Sequence, residues 1–262
     1  MNIFSFDNTF EGLLTLVFES YRLKLFPDEI LSGEGSQNVL FGSSITIGTN
    51  DQKAERVWNG IIAHSSEVNA HRIYRTFLSG QTDTPLLLVK FIRLIIDSNR
   101  NQETNFSEPV VVEVNKLHQK VCKEAHRVQM FVRFQKTVEG SYYASFAPMY
   151  DVLPLCIPHF KDRFADQKWI IYDTKRNYDL KRNYGFLYDL KNVTRVVFDE
   201  LKVNPQNGQL HSSLLADDEK LFQQLWKQYY KSICILERKN PKVHRQLLPQ
   251  RFWKYLPEKG VL

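Results

Sequence analysis

An α+β fold is predicted: an antiparallel sheet of about five strands with flanking helices, preceded by an N-terminal helical insert. Three observations carry this. Apolar residues recur at helical spacing through most of residues 10–127. The period then switches to two, in five short runs rich in Tyr, Phe, Val and Ile between residues 131 and 200. Those runs mostly succeed one another in hairpin order, as in an antiparallel sheet.

Each element has its own justification. Ile3, Phe4 and Phe6 suggest a short strand. Asp7 or Thr9 then caps a helix whose stripe is Phe10, Leu13, Leu14, Val17, Phe18 and Tyr21. Residues 27–42 are turn-rich, and Ser44 to Thr49 suit a short strand. Asn50 or Asp51 opens a helix with Ala54, Val57, Trp58, Ile61 and Ile62 on one face. Ser65 or Ser66 opens the next, with Ala70, Ile73, Tyr74, Phe77 and Leu78 inward and Ser79-Gly80 as its stop. Pro85 to about Ile96 is apolar nearly all round, the mark of a buried helix. After the polar residues 97–108, a long helix is expected from Val110 to Arg127. Residues 131–137 and 141–148 read as two strands joined by Glu139-Gly140. Asp151 to Phe164 reads as a helix kinked at Pro158. Strands are expected at 169–173, 184–189 and 193–200. Asp217 caps a helix bearing Leu221, Phe222, Leu225, Trp226, Tyr229, Tyr230 and Ile233, and Asn240-Pro241 opens a last one, interrupted by Pro249. Lys175-Arg176-Asn177-Tyr178 recurs as Lys181-Arg182-Asn183-Tyr184; six residues are too few for a structural repeat, so this is a duplication that lengthens one hairpin loop.

The 262 residues suffice for a sizeable core in one large domain or two small ones. Two parts are expected, a mainly helical acidic one over 1–110 and a basic α+β one over 111–262, forming one unit. Residues 1–110 hold 9 Lys/Arg against 13 Asp/Glu, a net of −4, whereas residues 111–262 hold 26 against 16, a net of +10. A basic half interleaved with Tyr, Phe and Trp suits a polyanion, since cations neutralise phosphates and rings stack on bases. The N-terminus lacks a basic leader region, and the most apolar run, Leu86 to Ile96, is broken by Lys90 and Arg93 and falls short of the ~18–20 residues that span a bilayer. Cys122, Cys156 and Cys234 stand far apart, with no CxxC pair. A cytoplasmic protein without membrane association, metal or cofactor is expected.

No phosphate loop, dinucleotide fingerprint or nucleophile elbow is present in the sequence. Three constellations carry candidate chemistry. In Glu124 to Gln135, Arg133 and Gln135 would share one face of a strand and grip a phosphate or base edge beside Arg127; alternatively Arg133 pairs with a core acid such as Glu124, and His126 is a structural histidine. In His159 to Gln167, His159 lies on the stripe of Val152, Leu155 and Cys156, with Arg163 one turn on and Asp166 and Asp173 near in sequence; a histidine beside carboxylates is also how a general acid begins. Residues 238–254 contain Arg238, Lys239, Lys242, Arg245, Arg251 and Lys254, with His244 and no acid. The run is either a solvated basic helix or an anion site; a merely solubilising face usually mixes signs, which argues for the anion. Trp253 and Tyr255 are either stacking platforms or core anchors.

Taken together, FDNTFEGLLTLVFESY (6–21), AERVWNGI (54–61), EAHRVQMFVRFQ (124–135), LPLCIPHFKDRFADQKWIIYD (153–173) and ERKNPKVHRQLLPQRFWKYLPEK (237–259) resemble a bacterial family known as a domain of unknown function, DUF4130, associated with DNA metabolism. The chain departs from it at the duplicated tetrapeptide. The resemblance implies DNA modification or repair alongside a radical-SAM protein, and transfers no catalytic residues. His211-Ser212-Ser213 is similar to the histidine motif of uracil-DNA glycosylases, but no water-activating motif precedes it.

Two functions follow from this reading. The first is a DNA- or RNA-binding accessory protein: Arg127, Arg133, Gln135, Arg163, Lys175, Arg176, Lys242, Arg245, Arg251 and Lys254 contact the strand, Trp169, Tyr172 or Trp253 stacks on a base, and the acidic insert docks the radical-SAM partner. The second is an enzyme acting on a flipped base or glycosidic bond, with His126, His159 or His244 as acid or base beside Asp166 or Asp173.

Overall fold

The computed structural model describes residues 1–32, 44–98, 102–178, 182–198 and 209–259. Its contacts divide the chain into two compact units, Met1–Cys122 and Lys123–Leu262.

The first unit joins its helices to a small sheet with one strand more than the sequence suggested. Strand β1 (Ile3–Phe6) is the centre of a three-stranded parallel sheet, between β2 (Glu29–Ser32) and β3 (Ser44–Thr46). Helix α1 (Phe10–Leu23) is the crossover between β1 and β2, the connection that parallel pairing requires. Sequence reading found the outer two strands in chain order and missed β2, whose four residues lie in the turn-rich segment after Pro27. Thr9 starts α1 by accepting from the Gly12 N–H. Asn50 and Ser66 do the same for α2 (Asp51–His64) and α3 (Glu67–Phe77). Helix α4 (Thr84–Asp97) packs Leu88, Val89, Phe91, Ile92 and Ile95 into one core with Phe4, Leu13, Leu16, Ile61 and Ile73.

Beside that core the Glu19 carboxylate, 6% exposed, accepts from Lys53 Nζ and Arg22 Nε, each at 2.6 Å. The Lys53 bond, aided by Arg22, outweighs burial and holds the Glu19 carboxyl below its ordinary value near 4.5. A carboxyl depressed by folding contributes stability that is complete above 4.5 and lost as pH falls through the lower folded value. Glu19→Gln is therefore expected to flatten the fall of stability with pH below about 4.5, measured by urea unfolding across that range.

Helix α5 (Pro109–Phe131) begins in the first unit and ends in the second. It outruns the expected stop at Arg127 because Val128 and Val132 continue its buried stripe, and the Val132 N–H still bonds to the Val128 carbonyl. The run 131–137 is consequently not a strand: only β4 (Gln135–Lys136) is.

The second unit is built on a five-stranded sheet in order β4-β5-β6-β7-β8, with β5 (Tyr142–Phe146), β6 (Trp169–Tyr178), β7 (Arg182–Tyr188) and β8 (Val193–Phe198). It is mixed rather than antiparallel. β5 and β6 run parallel, because α6 (Leu153–Arg163) carries the chain back across the sheet between them. Pro154 occupies the first turn of α6 and Pro158 its interior. The duplication lengthens a hairpin: Asn177 of the first copy pairs with Asn183 of the second, while residues 179–181 and 199–200 lie outside the described residues. A Cβ on Gly185 would collide with the backbone oxygen of Ile171 on the neighbouring strand. Gly185→Ala is expected to lower stability by about 1–3 kcal/mol, read from a thermal melt.

The C-terminal described segment returns to the sheet. A 3-10 turn over Gln250–Tyr255 stacks Phe252 on Phe146 at 4.7 Å and sets Tyr255 beside the same ring. This fixes the basic segment that precedes it, α7 (Glu219–Ser232) and α8 (Pro241–Leu247), to the second unit.

Candidate nucleic-acid interface

A cavity of about 640 Å³ opens in the second unit, within the ~300–1,000 Å³ typical of small-ligand sites. Its wall is α7 and its other sides are β4, β5 and the C-terminal turn. The start of α7 is tied to β4. Thr137 pairs with Leu215, the Lys136 carbonyl accepts from the Ala216 N–H, and Lys136 donates from its backbone to Glu219 and from Nζ to Asp218. Buried Glu219 also accepts from Gln223.

Beside the cavity, Glu258 organises two of the lining groups. Its carboxylate, 3% exposed, takes Arg133 Nη2 at 2.7 Å on one oxygen and Trp226 Nε1 at 2.9 Å on the other. The Arg133 guanidinium thus lies over the Trp226 ring, 5.2 Å from its centre. Arg133 Nε is buried without a hydrogen-bond partner among the described residues. The lining carries no excess positive charge: Arg133 faces Glu258, and Lys136 faces both Asp218 and Glu219. Such a lining of rings, amides and cations already met by carboxylates fits a neutral heterocycle with donors and acceptors on its edges better than a bare phosphate.

The apolar stripe of helix α7 is not a core face. Instead Glu219, Gln223, Lys227 and Tyr230 are its less exposed positions, while Leu221, Phe222, Leu225, Tyr229 and Ile233 are each more than half exposed. Residues 220–257 carry nine Lys/Arg and one acid, Glu237. Lys259 connects this helix to the last one: its ammonium lies 4.9 Å from the Tyr230 ring centre and 5.5 Å from that of Trp253, and His244 of α8 packs on Trp253. The cavity rim and the basic α8 are therefore neighbours. Burial and the Lys259 charge hold His244 below its ordinary value of 6.5.

The sequence candidates sort into three groups. Arg133 and Gln135 line the cavity, although Arg133 precedes the strand rather than sitting on it. Arg127, Arg176 and Arg251 have their charge met internally. Arg127 and Arg251 reach the buried Glu124 at 3.6 and 2.6 Å, and Arg176 reaches the wholly buried Asp173 at 2.7 Å. Arg163, Lys175, Lys242, Arg245 and Lys254 are exposed, and Lys242 and Arg245 have no carboxylate partner among the described residues. Trp253 is half-buried and donates to the Leu248 carbonyl. Two stacking candidates are corrected: Trp169 is 0% and Tyr172 5% exposed, both packed into the sheet's core where no base reaches them.

His126 and His159 are exposed, since α6 turns Cys156 and Phe160 inward rather than His159. None of His126, His159 and His244 lines the cavity or bonds to Asp166 or Asp173 among the described residues. Asp166 is exposed. Asp173 instead accepts from the backbone N–H groups of Lys175 and Arg176, and burial lifts its carboxyl above the ordinary value despite the Arg176 charge. His211 caps a 3-10 turn by accepting from the Ser213 N–H. Glu219, Phe222, Gln223, Trp226 and Glu258 were missed as site residues. Their sequence signal was an apolar helix stripe beside an acid-free basic run, which does not say which way the helix faces.

A family model described as a domain of unknown function, DUF4130, matches residues 82–258, about two thirds of the chain and nearly all of the second unit. No curated protein and no solved structure matches the chain.

Proposed function

This chain belongs to the DUF4130 family, and from that premise we propose that it is a nucleic-acid-binding accessory protein of DNA modification or repair. It works in the cytoplasm beside a radical-SAM protein that supplies the iron–sulfur chemistry. The observation that carries the reading is the placement of the acid-poor segment 220–257. It stays exposed on α7 and α8, with Lys242 and Arg245 unmatched by carboxylates among the described residues, next to a cavity walled by rings and amides. The polyanion is held by cations on the outside and its bases are offered to the cavity. DNA is the preferred strand; RNA presents the same phosphates and closely similar bases.

Fluorescence anisotropy with a single-stranded DNA, a duplex DNA and an RNA hairpin tests this directly, with poly-glutamate as a competitor. Binding that poly-glutamate displaces poorly supports the reading. No binding at low salt, or equal displacement by poly-glutamate, overturns it.

A further inference from the structure

We infer that the cavity takes one unpaired base, with the neighbouring strand running over the outer rings of α7 toward α8; this rests on the nucleic-acid reading above. Four features combine.

The cavity is concave and enclosed on three sides, so a base that is still stacked and paired cannot enter it. Its polar groups suit base edges: Gln135 and Gln223 offer amides, Tyr142 a hydroxyl and Glu219 an acceptor. Trp226 supplies a ring held in place through Nε1 by Glu258 and backed by Arg133, so its orientation is set before any ligand arrives. Finally, Phe222 and Tyr229, 56% and 54% exposed, carry the aromatic surface beyond the cavity mouth, with the Trp226 and Tyr229 rings 5.7 Å apart. Beyond those rings, Lys242 and Arg245 of α8 are exposed and meet no carboxylate among the described residues, charges that a polyanion meets favourably.

The test compares four ligands at one salt concentration: a perfect duplex, the same duplex with one bulged nucleotide, the same bulge made abasic, and a single strand. Stacking and edge contacts from one inserted base are expected to make the bulged duplex bind about tenfold tighter than the perfect duplex or the abasic bulge. Trp226→Ala is expected to erase that advantage, and Trp226→Phe to keep most of it. Gln223→Ala, which leaves the rings intact, is expected to reduce it. Equal affinity for all four ligands overturns the base pocket and leaves the nucleic-acid reading standing. Binding to none of them overturns both, and the exposed stripe Leu221, Leu225 and Ile233 then belongs to an acidic protein helix.

Discussion

Glu124→Ala is expected to destabilise the protein by about 3–5 kcal/mol, the cost of removing one partner from a buried ion pair. The Glu124 side chain is 2% exposed and serves three groups. It accepts from Arg251 at 2.6 Å and from the Met149 N–H at 2.7 Å, and it neutralises Arg127 one turn along α5. One carboxylate therefore joins the end of α5, the loop after β5 and the C-terminal 3-10 turn. Its loss leaves a half-buried guanidinium and a backbone donor unmatched. At roughly 2–4 °C per kcal/mol for a chain of this size, the melting temperature falls by about 10 °C. Arg251→Ala added to Glu124→Ala is expected to cost less than the sum of the two, because both variants break the same pair. Additive losses in calorimetry would show that the pair contributes nothing jointly.

Lys242→Glu with Arg245→Glu is expected to weaken nucleic-acid binding at least about tenfold, given ~1.5–3 kcal/mol for a charge-assisted hydrogen bond. Both residues are exposed on α8, and neither is paired to a carboxylate among the described residues, so the fold has no stake in their sign. Arg251 is a poor choice for such a variant despite lying in the same basic run: reversing it would put two carboxylates together at Glu124 and confuse loss of binding with loss of fold. The measurement is anisotropy with a single-stranded oligonucleotide, with the melting temperature as the control.

Local signals in the sequence were largely sufficient for local structure. The caps at Thr9, Asn50, Ser66 and Asn240, and the stripes of α1 to α4, follow from residue type and spacing. Long-range pairing was less legible. Nothing within residues 29–32 announces a strand; β2 exists because β1 offers it an edge. The parallel step between β5 and β6 was hidden because alternation marks a strand but not its direction. Arg133 and Gln135 were brought to attention for the wrong geometric reason: they meet at the cavity, not on one strand face. The candidate cations divided according to buried acids far along the chain, Glu124 with Arg251 and Glu258 with Arg133, separations of more than 120 residues that no local pattern reveals. The facing of α7 is the clearest case, since a helical stripe is equally regular whether it looks in or out.

The most direct test of the central claim is the salt dependence of single-strand binding. If phosphates are held by the basic segment, log K falls linearly with log salt, with a slope near −0.7 per contact. Contacts from Lys242, Arg245 and Lys254 predict a slope of about −2 or steeper, and Lys242→Glu with Arg245→Glu flattens it by about 1.4. A slope near zero, or one that the double variant leaves unchanged, would contradict the account.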